Sequence, residues 1–167
     1  MDNRYGEMLL YGGGDDFIFS GGRKYYVCCG FRSVLRIIRF IEEGGDTERA
    51  ADMFFLYDKP ENAAELMLGF IGKEYLPSDK KAFSFYGDAA IIAGSFMQCY
   101  GIDILSHSAD SMHWHRFCSL FASLDGDCAF SKIIRCRCAD FEAAPLRMAA
   151  RRIAGKYRIR KGSAYGV

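Results

Sequence analysis

No apolar run in this 167-residue chain approaches the roughly 20 residues that a bilayer-spanning helix needs, so no membrane partner is expected. The opening Met1-Asp2-Asn3-Arg4 is polar and leads into no long apolar core before the first glycines, which predicts that there is no export signal. An excess of one charge is missing too. The 22 Lys and Arg against 21 Asp and Glu leave a net charge of +1, with no global pull toward nucleic acid or a membrane surface. None of the seven cysteines stands in a C-x-x-C pair, so with no export signal they are expected to be reduced and mostly packed in the interior. Gly12-Gly13-Gly14 and Gly21-Gly22 both lack the lysine and following Ser/Thr of a phosphate-binding loop. Carboxylates are scattered over helix surfaces and are not paired in a glycosidase-like arrangement.

Half the residues are apolar and 26% are charged, which is ordinary for a globular chain long enough to bury a core. The charges are unevenly spread. Between Phe40 and Ala90 there are eleven acids against five Lys or Arg, whereas from Glu142 onward there are seven basic residues and one acid. The basic run Arg151-Arg152, Lys156-Tyr157-Arg158-Ile159-Arg160-Lys161 could meet an acidic partner, nucleic acid or the chain's own acidic middle. A basic helix end also suits the negative end of its own dipole, so nucleic acid is not the expected partner.

The patterning predicts a mainly α fold. It is one helical domain of about six to seven helices behind a short N-terminal β-hairpin. Residues 1–16 read as an irregular lead-in, 17–157 as the domain and 158–167 as a basic tail. Phe17-Ile18-Phe19 and Tyr25-Tyr26-Val27-Cys28 flank Ser20-Gly21-Gly22-Arg23, which is a hairpin signal. From Phe31 the period becomes 3.6, with Phe31, Val34, Leu35, Ile38 and Ile41 as a buried stripe and Arg32, Arg36 and Arg39 as a ridge. Gly44-Gly45 ends that helix, and Asp46 or Thr47 caps a second with Ala50, Met53, Phe54 and Tyr57 as its stripe. Pro60 suits the first turn of a third, in which Ala64, Leu68 and Ile71 align with Met67 and Phe70 beside them. Lys73 to Phe85 is a loop. A helix around Ala129–Cys138 and another around Ala144–Tyr157 complete the set.

Tyr86 to Leu124 is the most distinctive stretch. A helix bearing Ala89, Ile92, Ala93, Phe96, Cys99 and Tyr100 on one side, with Gly94 and Gln98 opposite, closes at Gly101. A connector that must bury Ile102, Ile104 and Leu105 leads to a second helix with Phe117, Leu120, Phe121 and Leu124 as its stripe. His113 and Trp114 flank that stripe, and Ser108, Asp110 or Ser111 is its cap. The two are expected to form a helix–turn–helix pair. Met112-His113-Trp114-His115-Arg116-Phe117 holds the only tryptophan and two of three histidines. On a helix His113 and His115 point about 200° apart, so they cannot grip one ion, and no metal site or cofactor is expected.

The blocks Gly22-Arg23-Lys24-Tyr25, Phe31-Arg32, Tyr86–Asp88, Tyr100-Gly101-Ile102-Asp103-Ile104, Met112 to Phe117 and Ile134 to Arg137 together resemble the bacteriophage Gp15 family. The likeness runs from about Phe17 to Tyr157. The chain departs from the family's pattern at Gly30, where an Asp is usual, and at His115, where a second tryptophan is usual. The resemblance implies a siphophage tail assembly protein, encoded beside the tape-measure gene and acting as its chaperone, with no catalytic residues. It makes Phe31, Arg32, Tyr100, Asp103, Met112, His113, Trp114, His115 and Phe117 the candidate partner-binding or signature positions. The implied partners are the tape-measure protein or another tail protein, and a further copy of this chain. The implied location is the host bacterial cytoplasm, with the protein absent from the finished virion. An apolar groove for an amphipathic helix would suit such a role; Ile37, Phe40, Ile91 and Met97, which fall off the main stripes, either line such a groove or a self-association surface or are buried on the second faces of a multilayer bundle. From the residues alone, the alternative is a small zinc-stabilised nucleic-acid-binding domain using the C-terminal basic helix.

Overall fold

A computed structural model describes residues 16–76 and 82–138. The expected lead-in, the helix around Ala144–Tyr157 and the basic tail lie outside the described residues, apart from Asp16. The chain is mainly helical with an N-terminal antiparallel hairpin. By contact it divides into two compact units. The first gathers 16–76 and Asp110–Leu120, and the second gathers 82–109 and 121–138.

In the first unit, β1 (Phe17–Ser20) pairs with β2 (Arg23–Tyr26) across Gly21-Gly22, whose φ values of 55° and 76° only glycine adopts cheaply. The ladder extends where Val27 N–H donates to the Asp16 carbonyl at 2.8 Å. β2 then leads into a second pairing, in which Leu56 N–H donates to the Tyr26 carbonyl and Cys28 N–H to the Phe54 carbonyl. The hairpin is thus tied to the end of the second helix, which a lone two-stranded sheet needs in order to persist.

Three helices follow: α1 (Phe31–Glu42), α2 (Thr47–Phe54) and α3 (Ala63–Ile71). α1 buries Phe31, Val34, Ile37 and Ile38. Ile37 therefore belongs to the core and lines no groove, because the helix is covered over a wider arc than one stripe. The chain leaves α1 through Gly44-Gly45, where a Cβ on Gly45 would collide with the Phe40 ring. Asp46 caps α2, accepting from Glu48 and Arg49 N–H at 3.1 Å. The expected α2 stripe is only half right: Ala50, Ala51 and Phe54 are buried, whereas Met53 and Tyr57 are exposed. The cause is tertiary. Pairing with β2 pulls Phe55 into extended backbone, so the helix stops at Phe54 and Tyr57 never joins its face. α3 starts after Pro60, whose carbonyl accepts from Ala63 N–H at 3.1 Å. Its buried set is Ala63, Met67, Phe70 and Ile71, rotated from the expected Ala64 and Leu68 because the larger Met and Phe remove more apolar area from water.

In the second unit, α4 (Ala89–Tyr100) packs on α6 (Ala129–Cys138), whose bounds match the expectation. Helix α5 (Trp114–Ala122) is grouped with the first unit as far as Leu120. α4 buries Ile92, Ala93, Ser95 and Phe96 and closes at Gly101 in the left-handed conformation. The burial of Ser95 has a reason outside its own helix: its hydroxyl accepts the Phe130 N–H at 3.1 Å, one of the unpaired donors at the start of α6. In the connector Ile104 is buried, but Leu105 is exposed, against expectation. The Asp103 carboxylate takes Leu105 N–H at 2.9 Å, and this turn swings the leucine outward. Phe83, Phe85, Phe121 and Phe130 pack as rings with centroids 5.0 to 5.7 Å apart.

Beside them lies a buried ion pair. Arg137 reaches both Asp88 oxygens at 2.8 Å and the Ala82 carbonyl at 2.8 Å, and Asp88 also takes Ser84 N–H at 3.1 Å. Side-chain exposure is 10% for Arg137 and 3% for Asp88, so neither charge has water to replace its partner. Removing one half should therefore cost more than removing both. We expect Asp88→Ala to lower unfolding stability by about 3–5 kcal/mol, and a double Asp88→Leu, Arg137→Met variant to recover most of that loss, as read by chemical denaturation.

Candidate functional site

The segment Met112–Trp114 enters the first unit as an extended strand. Phe31 N–H donates to the Met112 carbonyl at 3.0 Å, and Trp114 N–H to the Cys29 carbonyl at 2.7 Å, a one-residue bridge between Gly30 and His113. Helix α5 then begins, and its cap is none of the expected Ser108, Asp110 or Ser111. His113 supplies it: its carbonyl accepts Phe117 N–H at 3.0 Å and its Nδ1 accepts His115 N–H at 3.1 Å. Asp110 instead pairs with Arg32 at 2.7 Å. Because His113 stands outside the helix, the 200° separation does not apply, and the two imidazoles lie 5.2 Å apart between centroids. Both rings pack on Phe70, His115 at 4.5 Å and His113 at 6.0 Å.

Trp114 is not a flank residue. It has no exposed surface, and its indole N–H donates to the Ile71 carbonyl at 3.1 Å, one of the acceptors left unpaired where α3 ends. Phe117 stacks beside it at 5.6 Å, Tyr75 meets it edge-on at 5.3 Å, and Phe31 stacks on Phe117 at 5.0 Å with 14° between planes. Of the candidate positions, Phe31, Trp114, His115 and Phe117 are buried, and Arg32, Met112 and His113 are half-buried around them. Tyr100 (half-buried) and Asp103 (exposed) belong to the second unit, so the structure does not gather all nine into one site.

Burial pushes the Cys118 thiol up to about 12, and burial with a 2.7 Å bond to the Asp16 carboxylate does the same to Cys29, so both stay protonated at neutral pH. Burial also works to raise Cys128, but hydrogen bonds from Ser131, Ser95 and the first N–H groups of α6 bring it below its usual value. That thiol has almost no exposed surface. Among the described residues no group of three or more His, Cys, Asp or Glu could hold a metal ion. No described helix is long and apolar enough to cross a membrane.

The exposed apolar side chains lie elsewhere. Phe19, Tyr26, Met53, Leu56 and Tyr57 in the first unit, and Tyr86, Met97 and Leu105 in the second, are large apolar side chains left exposed. Sequence reasoning singled out only Met97 among these; Phe40 and Ile91 are half-buried. For Phe19 and Tyr26 the signal is the period of two in the hairpin, which puts Phe17 and Phe19 on one face with Lys24 and Tyr26. Asp88 and Arg137 were also missed as a pair, although each falls in a block that carried the family likeness.

These features define a small helical protein whose most unusual residues are spent on its interior. Residues 58–152 match the family described as Bacteriophage Gp15 protein, more than half of the chain, and the protein belongs to that family. It is a family of phage structural or assembly proteins. The match takes in the hexapeptide and the Tyr100–Ile104 block and leaves the hairpin, α1 and α2 ahead of it. No curated protein matches the chain, and no solved structure does.

Two substitutions test the local account. Trp114→Phe strands the Ile71 carbonyl and leaves a void, and should cost about 2–4 kcal/mol of stability by denaturant titration. Gly30 begins α1 with extended backbone and no side-chain cap, and a Cβ there meets nothing closer than the Asp110 carbonyl oxygen at 4.0 Å. The Asp usual in the family would supply that cap, so Gly30→Asp should raise stability by a few tenths of a kcal/mol, about what separates glycine from a capping side chain.

Proposed function

We propose that this protein is a non-enzymatic tail assembly chaperone that binds the tape-measure protein and keeps it soluble until tail subunits assemble around it. The single observation that carries this reading is membership of the Gp15 family over 58–152. The physical requirement is an apolar surface lent to an apolar-striped helix, and the exposed Met53, Leu56 and Tyr57 offer one at the end of α2. The work is done in the host bacterial cytoplasm, and the protein leaves before the virion is complete. Another tail protein is the second partner such a surface would accept.

The test is co-expression with the tape-measure protein encoded beside it. Its soluble fraction should rise and a complex should co-purify, and a Met53→Asp, Tyr57→Asp variant that keeps its helical circular dichroism should lose both effects. Unchanged solubility and no complex would overturn the proposal.

A further inference from the structure

Among the described residues the ladder leaves one strand edge open. Asp16–Val27, Ile18–Tyr25 and Ser20–Arg23 are the pairs that exchange main-chain bonds inside the hairpin, as the Val27-to-Asp16 bond and the two-residue turn require. The main-chain groups of Phe17, Phe19, Lys24 and Tyr26 therefore point outward. On the β2 side the outward edge is used, since Leu56 N–H donates to the Tyr26 carbonyl at 3.0 Å. On the β1 side no described residue pairs with Phe17 or Phe19. Edge strands are normally guarded by charge or proline, and Phe17-Ile18-Phe19-Ser20 carries neither. The face above is aromatic: Phe19 is 65% exposed, Tyr26 46% and Tyr57 84%.

We infer that β1 pairs antiparallel with β1 of a second copy of this chain, about a two-fold axis through Ile18, to make one four-stranded sheet. Only this register mates both outward-facing residues at once. Phe17 bonds to Phe19 of the second copy and Phe19 to Phe17, whereas a shift of two residues satisfies one such pair. Because these residues also share a face, the same register sets Phe17 against the second copy's Phe19 twice over, which is how cross-strand aromatic pairs stabilise sheets. Charge permits it. Both basic residues of the hairpin, Arg23 and Lys24, belong to β2; Arg23 pairs with Asp58, and the Lys24 ammonium lies 3.5 Å above the Phe17 ring, where the aromatic face already holds it. A second copy fits this edge better than an unrelated strand because the edge is complementary to itself, and the register sets Asp16, the one charge at its start, against Ser20 of the second copy and not against a like charge. A four-residue seam is far smaller than the roughly 1,600 Å² of a standard interface, so the dimer is weak and forms with rising concentration. The pairing does not depend on the tape-measure reading.

Sedimentation velocity of the full chain over a wide concentration range tests it. The wild type should show a reversible monomer–dimer equilibrium. Phe19→Lys removes both symmetry-related aromatic pairs and should raise the dissociation constant by about tenfold with unchanged far-ultraviolet circular dichroism. Should that variant fold poorly, cross-linking reads the register directly. Ile18→Cys places two thiols in a non-bonded pair with Cα atoms roughly 4.5 Å apart, within disulfide reach, so diamide should give a covalent dimer above the wild-type background, whereas Phe19→Cys should not. A chain that stays monomeric at every concentration, a dimer indifferent to Phe19→Lys, or equal cross-linking at both positions would overturn the inference.

Discussion

A tryptophan with no exposed surface must find an acceptor for its N–H, and a helix that ends inside a core must find donors for its last carbonyls. In this chain the two needs answer each other in the Trp114–Ile71 hydrogen bond. Much of the first unit is arranged so that this bond can form. Met112 and Trp114 lie along Cys29–Phe31 by main-chain bonds, His113 turns the extended segment into α5, and Phe117 and Phe31 stack where the two helices begin. Rings from four separate stretches of sequence meet there, which makes Met112–Phe117 a keystone of the interior.

The second unit solves a similar problem with charge. Asp88 precedes α4 and Arg137 lies near the end of α6, and their bidentate contact joins the two helix ends while Ser95 holds the start of α6. Such a pair adds little net stability compared with apolar residues of equal size, because desolvation offsets much of the attraction. Its contribution is geometric. An arginine fork accepts one orientation of a carboxylate, so helix placement is specified more sharply than the surrounding ring cluster could manage.

Where the rare residues go bears on function. If the tryptophan, the paired histidines and the buried acid are all engaged in holding the fold, partner recognition is left to plain apolar side chains at the surface. That distribution suits a protein that shields another chain, since binding an apolar stripe needs area and adaptability more than aimed polar groups. The exposed aromatics of the first unit lie ahead of the stretch that matches the family.

Local rules alone determined a good deal. The Gly-Gly turn between β-prone runs, the 3.6 period of α1 and α4, the Asp46 cap and the bounds of α6 all follow from interactions within a few residues of sequence, and all were legible there. What tertiary structure decided is where distant backbone competed with those rules. Pairing with β2 cut α2 short and exposed Tyr57, a bridge to Gly30 put His113 outside its helix and brought the two imidazoles together, and α6 was brought against α4. Periodicity says which side of a helix seeks burial, but not which partner will cover it. Hydrogen bonds such as Trp114 to Ile71 or Arg137 to Asp88 span 43 and 49 residues, and no spacing rule reaches that far.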